Sequence, residues 1–340
     1  MAQELDEPRE LRCTGIEWGM LGDAELARSE RALFDSLKNM TNEKMNMPRE
    51  LVACPYCKAA SEYRLSSSDV NRRTTTAIFD FYQCSGCNLL FLDPRPDDMG
   101  PFYKGGYQSI PKSLAELRTI AKREKYRMES ILKYKKTGRL LEIGPWMGIF
   151  SCNAKDAGFD VTAVEMNQQC VDFLTDVVGV KAIQSSDPAA ALGAMSEKFD
   201  VIALWHSLEH LPEPWIVLQR VAERLAPGGI LLVAVPNIES YDFSVLKSGW
   251  VHLDAPRHFF FYSASSLEKL CSANGLETLE LTTSDRLSTI LSIYAWCEQA
   301  NRMVPVKYIR RLLGLLLYQM AKRKSKGNGS GLTAIFMSPE

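Results

Sequence analysis

The stretch RLLEIGPWMGIFSCNAKDAGFDVTAVEMN, from Arg139 to Asn167, decides the fold of this 340-residue chain. It reads as a strand (RLLEIG), a glycine turn, a helix that ends at a second glycine, and another strand (DVTAVEMN). The alternation continues with helix QQCVDFLTDVVG, strands VKAIQ and FDVIALWH, helix WIVLQRVAERLAPGG, which its glycines are expected to end, and strand ILLVAVPN. This pattern predicts an α/β fold, a parallel sheet covered by helices on both faces, with its ligand at the carboxyl ends of the strands.

The turn after the first strand is the predicted cofactor site. Gly144 and Gly148 let the backbone approach a ligand, and the helix that follows presents free amides. Twenty-three residues after Glu142 the second strand ends in Glu165, where a carboxylate can accept both hydroxyls of a ribose. The turn lacks the GxGxxG spacing of dinucleotide sites, and the acidic residue before it suits a ligand with an amino group, such as methionine.

These residues resemble the first motif of the class I S-adenosylmethionine-dependent methyltransferases, which reads roughly E/D-x-G-x-G-x-G. Glu142, Gly144 and Gly148 match it, and Trp146 stands where the middle glycine is expected. Three further segments look like those of bacterial methyltransferases from sugar, polysaccharide and natural-product pathways: FDVIALWHSLEHLPEP (199–214), APGGILLVAVPN (226–237) and GWVHLDAPRHFFFYSASSLEKL (249–270). The resemblance covers about residues 100–285 and implies a Rossmann-like, seven-stranded methyltransferase domain.

The resemblance also implies an activity and a set of site residues. The chain would transfer a methyl group from S-adenosylmethionine to a small-molecule acceptor, or to an acceptor linked to a glycan or a lipid. Glu165 would hold the ribose, Ser186 and Asp187 would lie beside the adenine, and Trp205 would flank the cofactor. The rest of the cofactor site would consist of Glu142, Gly144, Trp146 and Gly148.

Four of the nine cysteines form two CxxC pairs, Cys54 with Cys57 and Cys84 with Cys87, separated by 26 residues. Each pair can present two thiolates to one tetrahedral ion, so the two pairs would complete a closed, structural zinc site. Short β-like runs flank both pairs, which predicts a small zinc ribbon over residues 51–97. The alternatives are a redox pair or cysteines that bind nothing. The same pattern precedes the domain in the resembled sugar-modifying methyltransferases and in some RNA methyltransferases.

All four histidines lie in the second half of the chain, so a shared pocket is expected. His206 follows the fourth strand and His258 lies in the segment expected to cover the acceptor, so these two are the candidates for a catalytic base. His210 is expected to orient the backbone of the turn before Pro212. Some resembled methyltransferases hold a divalent metal here, and a metal bound by His206, Glu209 and His210 stays an alternative.

Domain boundaries follow from these patterns. Residues 1–50 are charged and methionine-rich and are expected to form a partly disordered leader. The ribbon would be followed by a helical linker, 98–138, and by the methyltransferase domain, 139–340. A helical insertion at about 286–326 would separate the last two strands, the second of which reads GLTAIFM (331–337).

Residues 301–330 contain eight Lys or Arg and no acidic residue. A helix there would place its large apolar residues on one face, with basic residues beside them. Such a helix, taken as residues 301–326, either lies in a membrane interface or docks its leucines on the protein, and the sequence favours docking. The apolar residues are Ile309, Leu312, Leu313, Leu316, Leu317 and Met320, and the basic ones are Lys307, Arg310 and Arg311.

Composition narrows the class of protein. The chain is 46% hydrophobic and 24% charged with a net charge of −1, so no overall attraction to nucleic acid or anionic membranes is expected. A polar N-terminus and the lack of a long apolar run predict a cytoplasmic protein, with peripheral contact at the inner membrane face if the basic helix is interfacial. Two other functions stay open: an RNA methyltransferase that uses its ribbon to hold substrate, and an inactive methyltransferase-like binding protein, which Trp146 suggests.

Overall fold

The protein is described by a computed structural model over residues 51–103, 110–304 and 307–340, and the predicted leader lies outside these ranges. The strands in the described ranges are, in chain order, β1 (Val52–Ala53), β2 (Ala60–Ser68), β3 (Ile78–Cys84), β4 (Leu90–Leu92), β5 (Gly138–Ile143), β6 (Phe159–Glu165), β7 (Lys181–Gln184), β8 (Phe199–Trp205), β9 (Leu225–Pro236), β10 (Phe260–Phe261), β11 (Glu277–Thr282) and β12 (Gly331–Met337).

The α-helices are α1 (Leu114–Ala121), α2 (Tyr126–Leu132), α3 (Ile149–Asp156), α4 (Gln168–Phe173), α5 (Pro188–Ala194), α6 (Pro214–Arg224), α7 (Tyr241–Leu246), α8 (Ala264–Ser272), α9 (Arg286–Met303) and α10 (Lys307–Ser325). A π-helical turn, Leu174–Val178, extends α4, and short 3-10 turns lie at Gly100–Tyr103, Lys122–Glu124, Leu208–His210, Lys247–Gly249 and Val251–Leu253. Among the helices described, none combines the length and the apolarity that crossing a lipid bilayer requires.

The main sheet has seven strands in the order β11-β12-β9-β8-β5-β6-β7. Strands β5 to β9 that lie next to each other run parallel, whereas β12 runs antiparallel to both β9 and β11. The central strands are buried almost without interruption, as in the runs Ile230–Pro236 and Val201–Trp205, because helices cover both faces of the sheet. The predicted Rossmann-like, seven-stranded methyltransferase fold is confirmed.

One predicted helix end is wrong. The sequence indicated a helix that continued to the glycines of LAPGG, but α6 ends at Arg224 and Leu225 already pairs with Phe199 at the start of β9. A Cβ atom on Gly229 would lie 2.9 Å from the carbonyl oxygen of Phe199, so this glycine permits the close approach of two strands. The glycines therefore serve the beginning of β9 and not the end of α6.

The predicted helical linker packs on the main domain. Leu117, Ala121 and Ile131 of α1 and α2 are buried in one hydrophobic cluster together with Phe150 of α3. The Asn153 side chain of α3 donates a hydrogen bond of 2.9 Å to the carbonyl oxygen of Ala121, which satisfies the C-terminal end of α1. Residues 114–132 thus form part of the covering layer of the large sheet.

The cysteine-bearing strands form a second sheet in the order β1-β2-β3-β4-β10. Its last strand comes from far along the chain, because Phe260 and Phe261 pair antiparallel with Phe91 and Leu90 of β4. Phe81 and Phe261 make an edge-to-face contact with ring centroids 5.7 Å apart. The ribbon therefore shares its sheet and its core with the segment that the sequence placed over the acceptor.

Helices α9 and α10 lie between β11 and β12, where a helical insertion was expected. They pack closely at Gly314, on which a Cβ atom would lie only 2.7 Å from the Cα atom of Cys297. Tyr318 and Ala321 of α10 are buried in a small cluster with Trp296 of α9. One face of α10 is therefore docked on the protein.

Candidate active site and zinc centre

The turn between β5 and α3 has the backbone geometry of a ligand-binding loop. Gly144, Trp146 and Gly148 all have positive φ, at 73°, 52° and 81°. A Cβ atom on Gly144 would lie 2.7 Å from the Cβ atom of Ser207, and one on Gly148 would lie 2.5 Å from a methyl carbon of Leu174. Glycine is therefore required at both positions, and Trp146 adopts the left-handed conformation that glycine would adopt more easily.

Glu165 ends β6 and is tied to this turn. Its carboxylate accepts a hydrogen bond from the backbone amide of Trp146 at 3.1 Å and another from the amide of Asn167 at 2.9 Å. Burial raises the pKa of Glu165, while the amides of Asn167 and Trp146 oppose the rise. The carboxylate can accept further hydrogen bonds, so its predicted role at the ribose stays a prediction.

Glu142 is buried in β5, directly before the turn. The hydroxyl of Ser151 donates a hydrogen bond to its carboxylate at 2.5 Å. Burial raises the pKa of Glu142 to about 7, against the opposing effects of Ser151 and of the positive charge of Arg127. The group therefore holds a proton near neutrality and can ionise when a cation approaches.

The other predicted cofactor residues lie at the carboxyl ends of neighbouring strands. Ser186 and Asp187 are exposed after β7, and the Asp187 carboxylate caps α5 by accepting the amide of Ala190 at 3.0 Å. Trp205 ends β8 and is buried, with its ring 5.7 Å from that of Phe150. All three lie at the edge of the sheet that bears the glycine turn, and their contacts with a cofactor stay predictions.

Arg127 of α2 is a candidate site residue that the sequence did not indicate. Its guanidinium lies 5.0 Å from the centre of the Trp205 ring and forms an ion pair of 2.5 Å with Glu124. Its Nε atom is buried and has no hydrogen-bond partner in the described part of the chain. The sequence signal was only a basic helix, which is the usual sign of a solvated surface, so the position of Arg127 beside Trp205 and Glu142 could not be predicted.

Several buried polar atoms at this edge of the sheet have no hydrogen-bond partner among the residues that the structure describes. Unpaired atoms of this kind are costly unless a ligand or water meets them, so their grouping indicates a binding site. The set fits a polar cofactor that lies across the ends of β5 and β8, as S-adenosylmethionine would. The atoms are Nε1 of Trp146, Nε1 of Trp205, Nε2 of His206 and Oγ of Ser207.

The two candidate bases both lie near one buried carboxylate, that of Glu209. Nδ1 of His206 is 3.2 Å from the Glu209 carboxylate, and Nε2 of His258 is 4.0 Å from the same oxygen atom. Burial opposes ionisation of Glu209, yet the hydrogen bond from His206 and the nearby imidazoles lower its pKa to about 2. Burial, followed by repulsion from His210, lowers the pKa of His258 to about 4, so this imidazole is neutral at physiological pH.

In both His210 and His258, Nδ1 is the ring nitrogen that carries a proton. Nδ1 of His210 donates to the carbonyl oxygen of Arg257 and Nδ1 of His258 donates to that of His252, each at 2.9 Å. Nε2 of the neutral His258 ring therefore carries a lone pair. Glu209, His210 and His258 place three ligand atoms within 4.8 Å of one another and could hold a divalent cation. The sequence had named His206 in place of His258, which lies 48 residues beyond His210.

The four predicted zinc ligands come together. Their sulfur atoms all lie within 4.8 Å of one another, with Cys54 and Cys87 3.7 Å apart and Cys57 and Cys84 3.3 Å apart. Zn–S bonds of about 2.3 Å in a tetrahedron would place the sulfurs about 3.8 Å apart. The backbone amides of Gly86 and Cys87 point at the sulfur of Cys84, at 3.3 and 3.4 Å. The four thiols therefore fit a structural zinc ion.

Comparison with known proteins gives a consistent result. Residues 113–281 match a protein family described as "Methyltransferase domain". The chain is similar to a ubiquinone biosynthesis O-methyltransferase of Aromatoleum aromaticum, with 27% identity over 157 residues, which is 42% of this chain and 65% of that protein. It is also similar to a 2-methyl-6-phytyl-1,4-hydroquinone methyltransferase of Synechocystis, with 30% identity over 153 residues, which is 43% of this chain and 47% of that protein.

Among solved structures, a SAM-dependent methyltransferase from Archaeoglobus fulgidus covers 64% of this chain and 94% of its own length, with 16% identity and a TM-score of 0.45. The chain spans 65% or less of the length of the two curated relatives named above.

Proposed function

We propose that the chain transfers a methyl group from S-adenosylmethionine to a small-molecule acceptor, on the premise that residues 113–281 match the methyltransferase domain family. The observation that carries the proposal is the glycine turn, which hydrogen-bonds to Glu165 and lies beside a group of unpaired polar atoms at the ends of β5 and β8. Two relatives are named for ubiquinone biosynthesis and for a phytyl hydroquinone, so a phenolic or quinol hydroxyl is the first acceptor class to test.

The residues of the turn would bind and orient the cofactor. S-adenosylmethionine supplies a methyl group that its sulfonium already activates, so the chain mainly supplies alignment. Glu165 would accept hydrogen bonds from the ribose hydroxyls, and Glu142 would face the amino group. Arg127, whose guanidinium already lies beside Trp205, suits the carboxylate of the methionine moiety.

A hydroxyl acceptor would need a group that accepts its proton. His258 and His206 are the proposed bases, because Nε2 of His258 carries a lone pair and Nε2 of His206 is buried with no partner in the residues described. Glu209, ionised between them, would stabilise the imidazolium that forms. His210 would orient the backbone through its bond to Arg257.

The proposal is tested by methyl transfer from radiolabelled S-adenosylmethionine to a panel of acceptors. The panel contains a catechol, a prenylated hydroquinone, a bacterial glycan, a lipid extract and RNA, each with Glu165→Ala as the control enzyme. We expect label on a phenolic, lipid-linked or glycan acceptor and its loss with Glu165→Ala. Label on RNA alone would replace the proposal with the RNA methyltransferase alternative. A protein that binds the cofactor but labels no member of the panel would favour the inactive alternative, and Trp146→Gly would then test whether the indole blocks the site.

We propose further that the chain contacts membranes peripherally through residues 301–326. On α10, Ile309, Leu312, Leu316 and Met320 form what we call the apolar strip, and each is 46% to 58% exposed. Their spacing of three, four and four residues places them on one face of the helix, opposite the buried face that includes Tyr318 and Ala321. The leucines that the sequence favoured as docking residues at 312 and 316 point away from the core.

The basic residues of α10 support an anionic lipid surface as the partner of the apolar strip. Lys322, Arg323 and Lys324 are exposed in the last turn of α10, and the sequence has no acidic residue between Glu298 and Glu340. Each basic residue near an anionic membrane contributes about 1 kcal/mol, and insertion of the strip would add the burial of four large side chains. A helix with this combination lies in the membrane interface.

Vesicle co-sedimentation tests the proposed contact between α10 and the membrane. We expect the protein to bind phosphatidylglycerol vesicles and not neutral phosphatidylcholine vesicles, and we expect Leu312→Glu with Leu316→Glu to release it. The matched control is Thr119→Glu with Gln169→Glu, which adds the same charge on exposed faces of α1 and α4 and should still bind. Equal sedimentation of the two double variants, or no binding by the folded parent, would contradict the contact.

A further inference from the structure

Arg257 is the centre of a buried ionic network between the ribbon and the segment 249–262, which we call the acceptor segment. The side chain is fully buried, and its guanidinium bonds two carboxylates, each through two nitrogens. Nε and Nη2 donate to Asp254 at 2.9 and 2.8 Å, and Nη2 and Nη1 donate to Asp69 at 2.5 and 3.1 Å. Nη1 also lies 3.4 Å from the carbonyl oxygen of Phe102, so all five N–H groups have an acceptor.

One of the two carboxylates belongs to the ribbon and the other belongs to the acceptor segment. Asp69 directly follows β2 of the ribbon and is fixed by the hydroxyl of Thr74, at 2.6 Å, and by the amides of Arg72 and Thr74. Asp254 belongs to the acceptor segment and accepts a hydrogen bond of 2.5 Å from the side chain of Asn71. The ribbon loop 69–74 therefore holds the acceptor segment through both carboxylates.

Arg257 also lies directly beside both histidines. Its carbonyl oxygen accepts the Nδ1 proton of His210, and the next residue in the chain is His258. One residue further, the amide of Phe259 donates to the carbonyl oxygen of Glu209 at 2.8 Å, and Phe260 then pairs with β4. The chain from Arg257 to Phe260 is therefore held by the ribbon at both ends, with His258 between them.

The energetics favour a role in geometry over a role in stability. Three charged groups buried together lose their hydration, and such networks stabilise a fold no more than apolar packing of the same volume would. Their directional bonds, in contrast, allow one arrangement of the two parts. A planar guanidinium that bonds two carboxylates, each through two nitrogens, fixes both the distance and the angle between them.

We propose that Asp69 and Arg257 are positioning residues for methyl transfer, and that the ribbon acts through them to place His258 and His210 at the acceptor. The relevance to catalysis rests on the proposed function, whereas the placement of the histidines does not. The ribbon would then contribute to the acceptor site, because it holds the segment that carries the proposed base His258.

The test uses the full-length, zinc-loaded protein with labelled histidine rings, of which the chain has four. Asp69→Asn removes the charge on the ribbon side, and Asn71→Ala is a milder variant of the same loop. The matched control is Asp80→Asn, which removes a carboxylate of the same hairpin that bonds Ser66. Ring resonances are recorded well below the melting temperature, together with the affinity for S-adenosylhomocysteine.

We expect Asp69→Asn and Asn71→Ala to shift the ring resonances of His258 and His210, while Asp80→Asn leaves them in place. Affinity for S-adenosylhomocysteine should stay within about twofold, and methyl transfer to the acceptor found in the panel should fall by up to about 10²-fold, the typical effect of a misplacement near 1 Å. A role in stability alone would lower the melting temperature and leave the ring resonances of the folded protein unchanged.

Unshifted His258 and His210 resonances in both loop variants would overturn the proposal. If Asp69→Asn fails to fold, Asn71→Ala decides the matter by the same resonances. If the parent protein does not bind S-adenosylhomocysteine, the proposed function is contradicted. The ring resonances would still test the placement of His258 and His210. Shifted resonances with unchanged methyl transfer would overturn the catalytic part of the proposal.

Discussion

Glu142 gives the clearest prediction at the scale of single residues. Its pKa rises from 4.5 to about 7 because the carboxyl is buried. Between pH 4.5 and about 7 the folded protein therefore holds a proton on Glu142 that the unfolded chain has lost. The contribution of Glu142 to the free energy of unfolding is thus fully present below about pH 4.5 and is lost as the pH rises to about 7. The loss is roughly 3 kcal/mol for a shift of this size.

Denaturant unfolding of the parent and of Glu142→Gln across this pH range measures the effect. The glutamine variant should lack this component of the pH dependence, and Glu129→Gln, at an exposed position on α2, should retain it. Parallel pH profiles for the parent and Glu142→Gln would show that the buried carboxyl is ionised throughout.

Glu142 and Glu165 end adjacent parallel strands, so the βαβ pattern alone predicts that they lie close together. Arg127 and His258 lie at the site only because of tertiary packing. Arg127 belongs to a helix whose sequence is typical of a solvent-exposed surface, and it contacts Trp205. His258 lies near Glu209 although the two are 49 residues apart in the sequence. No local pattern in the sequence encodes those approaches.

The ribbon gives the main prediction at the scale of elements. We expect one zinc ion per chain, and a loss of it with Cys84→Ser, because a closed tetrahedral site needs all four sulfurs and the ion would hold the two CxxC turns together. Cys297→Ser, which changes a cysteine outside the set, should keep the metal. Metal analysis gives the stoichiometry, and limited proteolysis within 51–92 reports the folding of the ribbon. A ribbon that resists proteolysis after zinc is removed would show that the metal is dispensable.

The sequence predicted whether a segment is a helix or a strand better than it predicted where the segment ends or which strand it pairs with. The alternation of strand and helix gave the main sheet, because strands buried on both faces are apolar throughout. The end of α6 was wrong because the glycines of LAPGG serve a close strand contact. The pairing of β10 with β4 joins residues about 170 positions apart, and two residues are too few to carry a strand signal.

At the scale of the whole molecule, the ribbon and the methyltransferase domain form a continuous core. The sequence separated them into modules, because composition changes at the prolines after β4, but the buried Arg257 network and β10 join them. The fold class was predictable from periodicity and motif order. The contact between the ribbon and the methyltransferase domain was not predictable. It depends on the burial of Arg257, Asp69 and Asp254, and charged residues are normally expected at the surface.

Calorimetry measures whether the glycine turn and Glu165 bind S-adenosylmethionine. We expect heat of binding with S-adenosylmethionine and S-adenosylhomocysteine, none with NAD, and a loss of roughly 1.5–3 kcal/mol in Glu165→Ala, the value of hydrogen bonds to a charged group. Asp160→Asn, at an exposed position at the other end of β6, is the matched control and should bind like the parent. The absence of heat with both sulfur ligands at millimolar concentration, from a folded parent protein, would contradict the claim.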